Sequence, residues 1–443
     1  MNDARRYAAG VVPPWLWVGV GAIAATGLVA VTSSLAPLGL AAVAGLGVLA
    51  IVCLVRTDLA ILLLIASIPL ETTVSISGNP QLTVVKVAGA LCLMSWVLSV
   101  MVRGRRLVLD ATHALIFLLL VVALISTLEA GSLDSAIIRT LRYASFASLY
   151  LVISQQVGQH ALQRRIVWTL SLSASASAVL AIHNFLTGAT DLAKPIYGDP
   201  NDFAYILATT LPLTLWLLRT RGWLLKSAVI VMGGVMGAGI LLSYSRGALV
   251  GLGAGLLWQL FGERRHVRVV LLAAVLAGAV TLGVFVANQQ RLLDALSAKG
   301  VVAGQNITER LDSWDAAVRL AVSHPLLGVG PGNFMFYSDK ALDRPPSYLN
   351  PDVVHDAYLE VAAELGIAGF VLFVAYLMMS FARATTAVRT NRGPPELASA
   401  VRTAFVVALV ATIPLSEQYY APLWLLGALA TCFWHERRAE GVA

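Results

Sequence analysis

The 443-residue chain is 58% hydrophobic and 12% charged, with a formal net charge of +7. A soluble domain carries about 25% charged residues, so this composition excludes an ordinary soluble globule. The basic residues form no contiguous patch suited to nucleic acid. The three cysteines, Cys53, Cys92 and Cys432, sit in apolar runs without disulfide or metal-site spacing.

The start, MNDARRYAAGVVPP, is short and basic. The apolar run after it is long and is followed at once by another, which predicts an uncleaved first span rather than a removed signal peptide. Runs near or above the ~18 residues of a spanning helix then recur along the chain. They predict spans at 15–31, 35–55, 59–70, 84–102, 112–128, 136–154, 166–186, 203–218, 226–243, 247–261, 267–286, 361–381, 401–415 and 421–434. The 59–70 segment and the 401–434 pair are short enough to be re-entrant or interfacial. The expected fold class is an all-α polytopic integral membrane protein with about 12–14 transmembrane helices. The alternating strands of a β-barrel are not seen, nor is an internal or inverted repeat of the transporter kind.

The loops alternate in charge. Arg5 and Arg6, Arg56, the RGRR at 103–106, Arg164 and Arg165, the RTRG at 219–222, the GERRHVR at 262–268, the 382–402 loop and the final HERR fall on one side. The positive-inside rule makes that side cytoplasmic, with both termini there. Opposite lies one long loop, 287–356, which divides the chain into helices at 1–286, the loop, and helices at 357–443. A loop of this length is usually functional or separately folded. In a bacterial inner membrane it faces the periplasm.

Four cations remain inside the predicted spans or at their outer ends. Lys86 opens the 84–102 span. Arg139 and Arg142, in IIRTLRYASF, share a helix face at i, i+3. Arg246 sits in SYSRGAL between two apolar runs. Each alone reads as readily as a snorkelling anchor. Four near one depth, against the positive-inside rule, point to a shared anionic partner. Arginine suits phosphate, because its planar fork donates two hydrogen bonds.

Within the long loop, NITERLDSWDAAVRLAV (306–322) reads as an amphipathic helix. Asn306 and Glu309 have capping-box spacing. Leu311, Trp314, Ala317, Val318 and Ala321 form one apolar stripe, expected to pack on the membrane domain. Arg310 lies early in this helix. HPLLGVGPGNF (324–334) reads as a tight turn system and lacks the GK[ST] of a phosphate loop. The loop then reaches HDAYLEVAAELGIAGF (355–370), which opens the next span. His355 titrates near neutrality and is able to take a proton from a hydroxyl or to hold a sugar in place. Asp356 is placed to orient it or to bind an acceptor. Glu360 and Glu364 follow at helical spacing, either catalytic or making polar contacts inside the bundle. No serine elbow, HExxH or Cys/His cluster supports a hydrolase or zinc reading.

Together these segments resemble the O-antigen ligase family, which shares a domain with O-antigen polymerases and protein O-oligosaccharyltransferases. The family pattern is His, then Asn, Ser or Gln, nine residues, Gly, two residues, then Gly, Thr or Tyr. His355, Asp356, Gly366 and Gly369 fit its spacing, with Asp356 where an uncharged polar residue is usual. GDPNDFA (198–204), SYSRGAL (243–249), ITERLDSW (307–314) and PLLGVGPGNF (325–334) also match, and the resemblance covers roughly 80–385. It implies a GT-C-like, multi-span glycosyltransferase that is metal-independent and inverting and uses no cofactor. The donor would be a glycan on undecaprenyl diphosphate and the acceptor the lipid A–core oligosaccharide. Lys86, Arg139, Arg142, Arg246 and Arg310 would bind diphosphate. His355 would act on the acceptor hydroxyl, with Asn201, Asp202 and Asp356 near the sugar. A polymerase taking a second lipid-linked glycan, or a protein oligosaccharyltransferase, would use the same donor. A lipid-linked oligosaccharide transporter would instead distribute its charges along the bilayer midplane.

Overall fold

The computed structural model describes residues 37–71, 84–104, 107–196, 198–219, 221–262, 278, 308–345, 353–390 and 393–440. The expected spans at 15–31 and 267–286, and Asn306 with its capping box, lie essentially outside these. Among the described residues the chain is all-helical, without strands. The helices are α1 Pro37–Val55, α2 Thr57–Ser67, α3 Val84–Arg103, α4 Ala111–Ser126, α5 Leu133–Ser154, α6 His160–Thr187, α7 Pro200–Trp216, α8 Trp223–Ser243 and α9 Arg246–Gly262. After α9 come α10 at 308–323, α11 Phe334–Ala341, α12 Ala357–Arg389, α13 Pro395–Ala411 and α14 Ala421–Glu440.

Among the described residues, six helical stretches are long and apolar enough to cross a bilayer: Val84–Arg103, Ala111–Glu129, Leu133–Ser154, His160–Thr187, Trp223–Ser243 and Ala357–Arg389. This is a multi-pass membrane protein. The number is below the expected 12–14 partly because α7, α9 and α13 are each 17 residues long, short of the ~20 that cross a bilayer without help.

Two apolar cores share the bundle. The larger joins α2–α6 to α12–α14 around Tyr143, Tyr150, Tyr376, Phe405 and Trp424. The smaller joins α6, α7, α8 and α9. Helices α9 and α13 meet closely because small residues face each other. A Cβ on Gly251 would come within 2.7 Å of the Val407 carbonyl, and one on Gly255 within 2.4 Å of the Val407 side chain. Such close approach is how membrane helices gain packing energy where lipid gives no hydrophobic drive.

At one end of the bundle, Asp110 caps α4 and forms a capping box with His113. Its carboxylate pairs with Arg383 and His435, both at 2.9 Å. Asp110, His113 and His435 bring ligand-type atoms within 4.8 Å of one another, but the guanidinium already neutralises the carboxylate. The expected 382–402 loop therefore starts later: α12 runs on to Arg389, and Arg383 is buried rather than a free topology signal.

The opposite end holds the feature that organises the loop. Gly366 lies inside α12 with φ 64° and ψ −168°, a region open essentially to glycine alone. The break leaves main-chain groups unpaired within the helix, and the turn at 325–330 supplies their partners. Val329 N–H donates to Ala363 O (3.0 Å), Gly330 N–H to Glu364 O (3.0 Å), and Ile367 N–H to Pro325 O (2.8 Å). Ser126 Oγ, at the end of α4, lies 2.5 Å from Leu327 O and 2.9 Å from Glu364 O. Asn333 fixes the far side of the turn by accepting from Ser132 N–H at 2.7 Å. Gly366 thus serves to break the helix and admit the turn.

This geometry forecasts a large cost for a side chain at the break. A Cβ on Gly366 would stand 2.5 Å from the Leu326 backbone. Gly366→Ala should lower stability by at least about 2 kcal/mol, measured as thermal unfolding in detergent. Gly253→Ala, whose Cβ would meet nothing within 4 Å, should leave it unchanged.

Candidate functional site

Helix α12 begins at the same end of the bundle. Asp356 is its N-cap, accepting the N–H groups of Tyr358 and Leu359 at 2.9 Å each. Its carboxylate thus has a local structural use in place of the expected hold on His355. His355, just before it, adopts a left-handed backbone with φ 59°, unusual for a non-glycine residue. Two contacts hold it there. His355 N–H donates to Ser416 Oγ at 3.0 Å, and the Ser416 hydroxyl donates to Glu360 Oε2. The same Glu360 oxygen accepts Val354 N–H at 3.1 Å. Glu360 therefore grips the 354–355 turn directly and through Ser416. Residues held in such strained conformations cluster at functional sites.

Arg310 and Asp199 act on His355 through their charge, and Arg246 acts in turn on Arg310. Arg310 projects from α10, donating to Pro414 O at 3.2 Å. Arg246 is the first residue of α9 and is exposed. Asp199 caps α7, accepting Asn201 N–H at 2.6 Å. Asn201 was expected near the sugar. The Asn201 side chain instead accepts Ser245 Oγ at 2.9 Å, tying the start of α7 to the residue before Arg246.

The electrostatics follow from this crowding. Burial and the neighbouring Arg246 push the Arg310 guanidinium down, while Asp199 pulls it up. Burial lowers His355 below its ordinary value; Arg310 lowers it further, and Asp199 partly offsets this. Among the described residues, one carboxylate, Asp199, against the guanidiniums of Arg310 and Arg246 leaves a local excess of positive charge at a partly desolvated surface. Such a place favours an anion.

Arg139 and Arg142 sit in a neighbouring but different environment. Arg139 lies over the Tyr419 ring at 4.9 Å, with the charges of Glu364 and Glu360 acting on it. Arg142 lies over the Tyr420 ring at 5.0 Å and pairs with Glu71 at 3.4 Å. Asp202, a candidate sugar ligand, accepts the Tyr420 hydroxyl. Glu364 accepts Tyr419 Oη at 2.6 Å and Phe334 N–H at 3.4 Å. These two arginines are thus largely matched by carboxylates and aromatic faces of the protein itself. Lys86 is exposed in the first turn of α3, and α3 packs on α5, the helix of Arg139 and Arg142.

The two sets meet at a segment not singled out from sequence, the 412–420 turn between α13 and α14. Ala357 N–H reaches both Thr412 O (3.1 Å) and Leu415 O (3.0 Å). Pro414 takes Arg310, Ser416 takes His355, and Tyr419 and Tyr420 carry Arg139 and Arg142. Its signal was present: SEQYY is a polar island between two apolar runs.

The titration of His355 tests this arrangement without any substrate. In histidine-labelled protein, its NMR titration should fall below 6.5. Arg310→Ala should raise the midpoint, because it removes a repelling cation, and Asp199→Asn should lower it, because it removes an attracting anion. A midpoint at or above 6.5 that neither change moves would refute the arrangement.

Comparison with known proteins overlaps part of this cluster in sequence. Residues 228–374 match the family model described as O-antigen ligase. A curated protein of Pseudomonas aeruginosa (strain PAO1), named O-antigen ligase, is 25% identical over 284 residues. The match covers 61% of this chain and 64% of that relative, just under two thirds of the relative's own length. The matched segment is the one that carries Arg246, Arg310 and His355.

Proposed function

We propose that the protein is a glycosyltransferase of the O-antigen ligase type, moving a glycan from undecaprenyl diphosphate to the lipid A–core oligosaccharide at the periplasmic face of the inner membrane. The observation that carries this reading is the meeting of His355, Arg310, Arg246 and Asp199 from four separate elements at one end of the bundle. The distant relationship to a protein named O-antigen ligase supports it.

The chemistry fits the residues. The acceptor hydroxyl attacks the anomeric carbon while the bond from that carbon to the diphosphate oxygen breaks. The hydroxyl proton passes to His355, which burial and Arg310 keep unprotonated and ready to accept it. Asp199, near the ring, offsets the positive charge that then forms. The leaving diphosphate gains negative charge, which Arg246 and Arg310 stabilise. A single in-line displacement inverts the anomeric centre and needs no protein nucleophile. Lys86, Arg139 and Arg142 extend the cationic surface toward the donor, although Arg142 must exchange its pairing with Glu71 to bind phosphate directly. Asn201 serves mainly to place Arg246, through Ser245.

In proteoliposomes supplied with lipid-linked glycan and lipid A–core, the wild-type protein should form ligated product. His355→Ala, Arg246→Ala and Arg310→Ala should each reduce turnover by about 100-fold or more, with normal membrane insertion. Activity should fall with acidification through the His355 pKa, below 6.5, and should survive chelator. Full activity in all three variants would refute the assignment.

A further inference from the structure

The surface of α10 divides into three sectors. At about 100° per residue, Ser313, Ala316, Ala317 and Leu320 fall together and are buried, the last three in a small core with Val329, Phe334, Val354 and Ala363. Asp312, Asp315 and Arg319 form a second, charged sector. There Arg319 pairs with Asp315 at 3.0 Å, and Asp312 with Arg344 at 2.9 Å. The third sector holds Leu311, Val318 and Val322 at i, i+7 and i+11, exposed by 56%, 47% and 75%. The predicted stripe is thus split. Ala317 packs on the membrane domain, whereas Leu311 and Val318 face away from it.

The third sector does not end with the helix. Leu326, 72% exposed, extends it into the turn that fills the α12 break. That turn is bonded to α12 through Pro325 O and Ile367 N–H at 2.8 Å. Ile367, Val371 and Met378 are exposed by 55%, 54% and 67% along a membrane-spanning helix, which makes them lipid-facing. The apolar edge of α10 therefore runs into a surface already in contact with lipid. Isolated exposed apolar side chains need no explanation, but a continuous apolar edge does.

We propose that α10 is an interfacial anchor, with the Leu311–Val318–Val322–Leu326 edge immersed in the acyl boundary of the leaflet beside α12 and the Asp312–Asp315–Arg319 sector in water. One sector on protein, one in lipid and one in water is the arrangement of a helix lying in the membrane plane. Its consequence is positional. Arg310 rides on the same helix, so the depth of the edge sets the level of its guanidinium at the headgroup region, where a lipid phosphate lies.

The test reads depth, not activity, so it stands apart from the proposed transfer reaction. Variants Val318→Cys, Val322→Cys, Leu326→Cys, Asp315→Cys and Arg319→Cys, each adding one exposed cysteine to the full chain, are labelled with an environment-sensitive fluorophore and placed in phospholipid vesicles; the native cysteines are buried. Labels at 318, 322 and 326 should be quenched by nitroxide-bearing lipids and shielded from aqueous iodide, with the reverse at 315 and 319. Equal iodide quenching at 322 and 319 would overturn the proposal. So would labels at 318 and 322 that are shielded from iodide yet untouched by lipid nitroxide, since another segment of the chain would then be covering the edge.

Discussion

The arrangement of this protein depends on how a membrane helix can be broken without leaving main-chain groups unpaired. Water is scarce at that depth, so each exposed N–H or C=O must find a protein partner. Gly366 opens α12 near its start, and the 325–330 turn closes the gap with three main-chain hydrogen bonds. That exchange fastens the loop to the bundle. It also places α10, and with it Arg310, beside the turn that presents His355. Gly328 belongs to the same fit, since a Cβ there would meet the Glu364 backbone at 2.3 Å.

Charge is handled by the same economy. Buried carboxylates are costly unless hydrogen-bonded or paired. Glu360 takes Ser416 and Val354 N–H, Glu364 takes Tyr419 and Phe334 N–H, and Asp202 takes Tyr420. The partners come mostly from the 412–420 turn, which is why that turn connects both arginine sets. The result is a gradient across one end of the molecule. Arg139 and Arg142 are compensated from within, whereas Arg310 has a like charge, Arg246, beside it and Asp199 as the carboxylate acting on it among the described residues. An anion arriving from outside gains most at the second pair.

Much of the fold was legible in the sequence because apolar runs of bilayer length have few alternatives to a spanning helix. Lys86, Arg139, Arg142, Arg246, Arg310 and His355 stood out for a similar reason: ionisable groups are rare where lipid is near. What stayed hidden was pairing. Arg383 read as a loop cation until Asp110 and His435 were found beside it, residues 273 and 52 positions away in the chain. The α10 stripe was correctly apolar, but periodicity alone does not say which of two apolar sectors meets protein and which meets lipid.

The sequence by itself determined that this is a helical membrane protein with a few exceptional cations and a histidine just before an apolar helix, because hydropathy and helical spacing are local properties. The tertiary structure alone decided which cations stand together and that Asp199 and Ser416 flank His355. It also decided that Asp356 caps a helix and that Gly366 breaks one. Those outcomes depend on which distant groups come within hydrogen-bonding or Coulombic reach after packing, and no local pattern of residues records that distance.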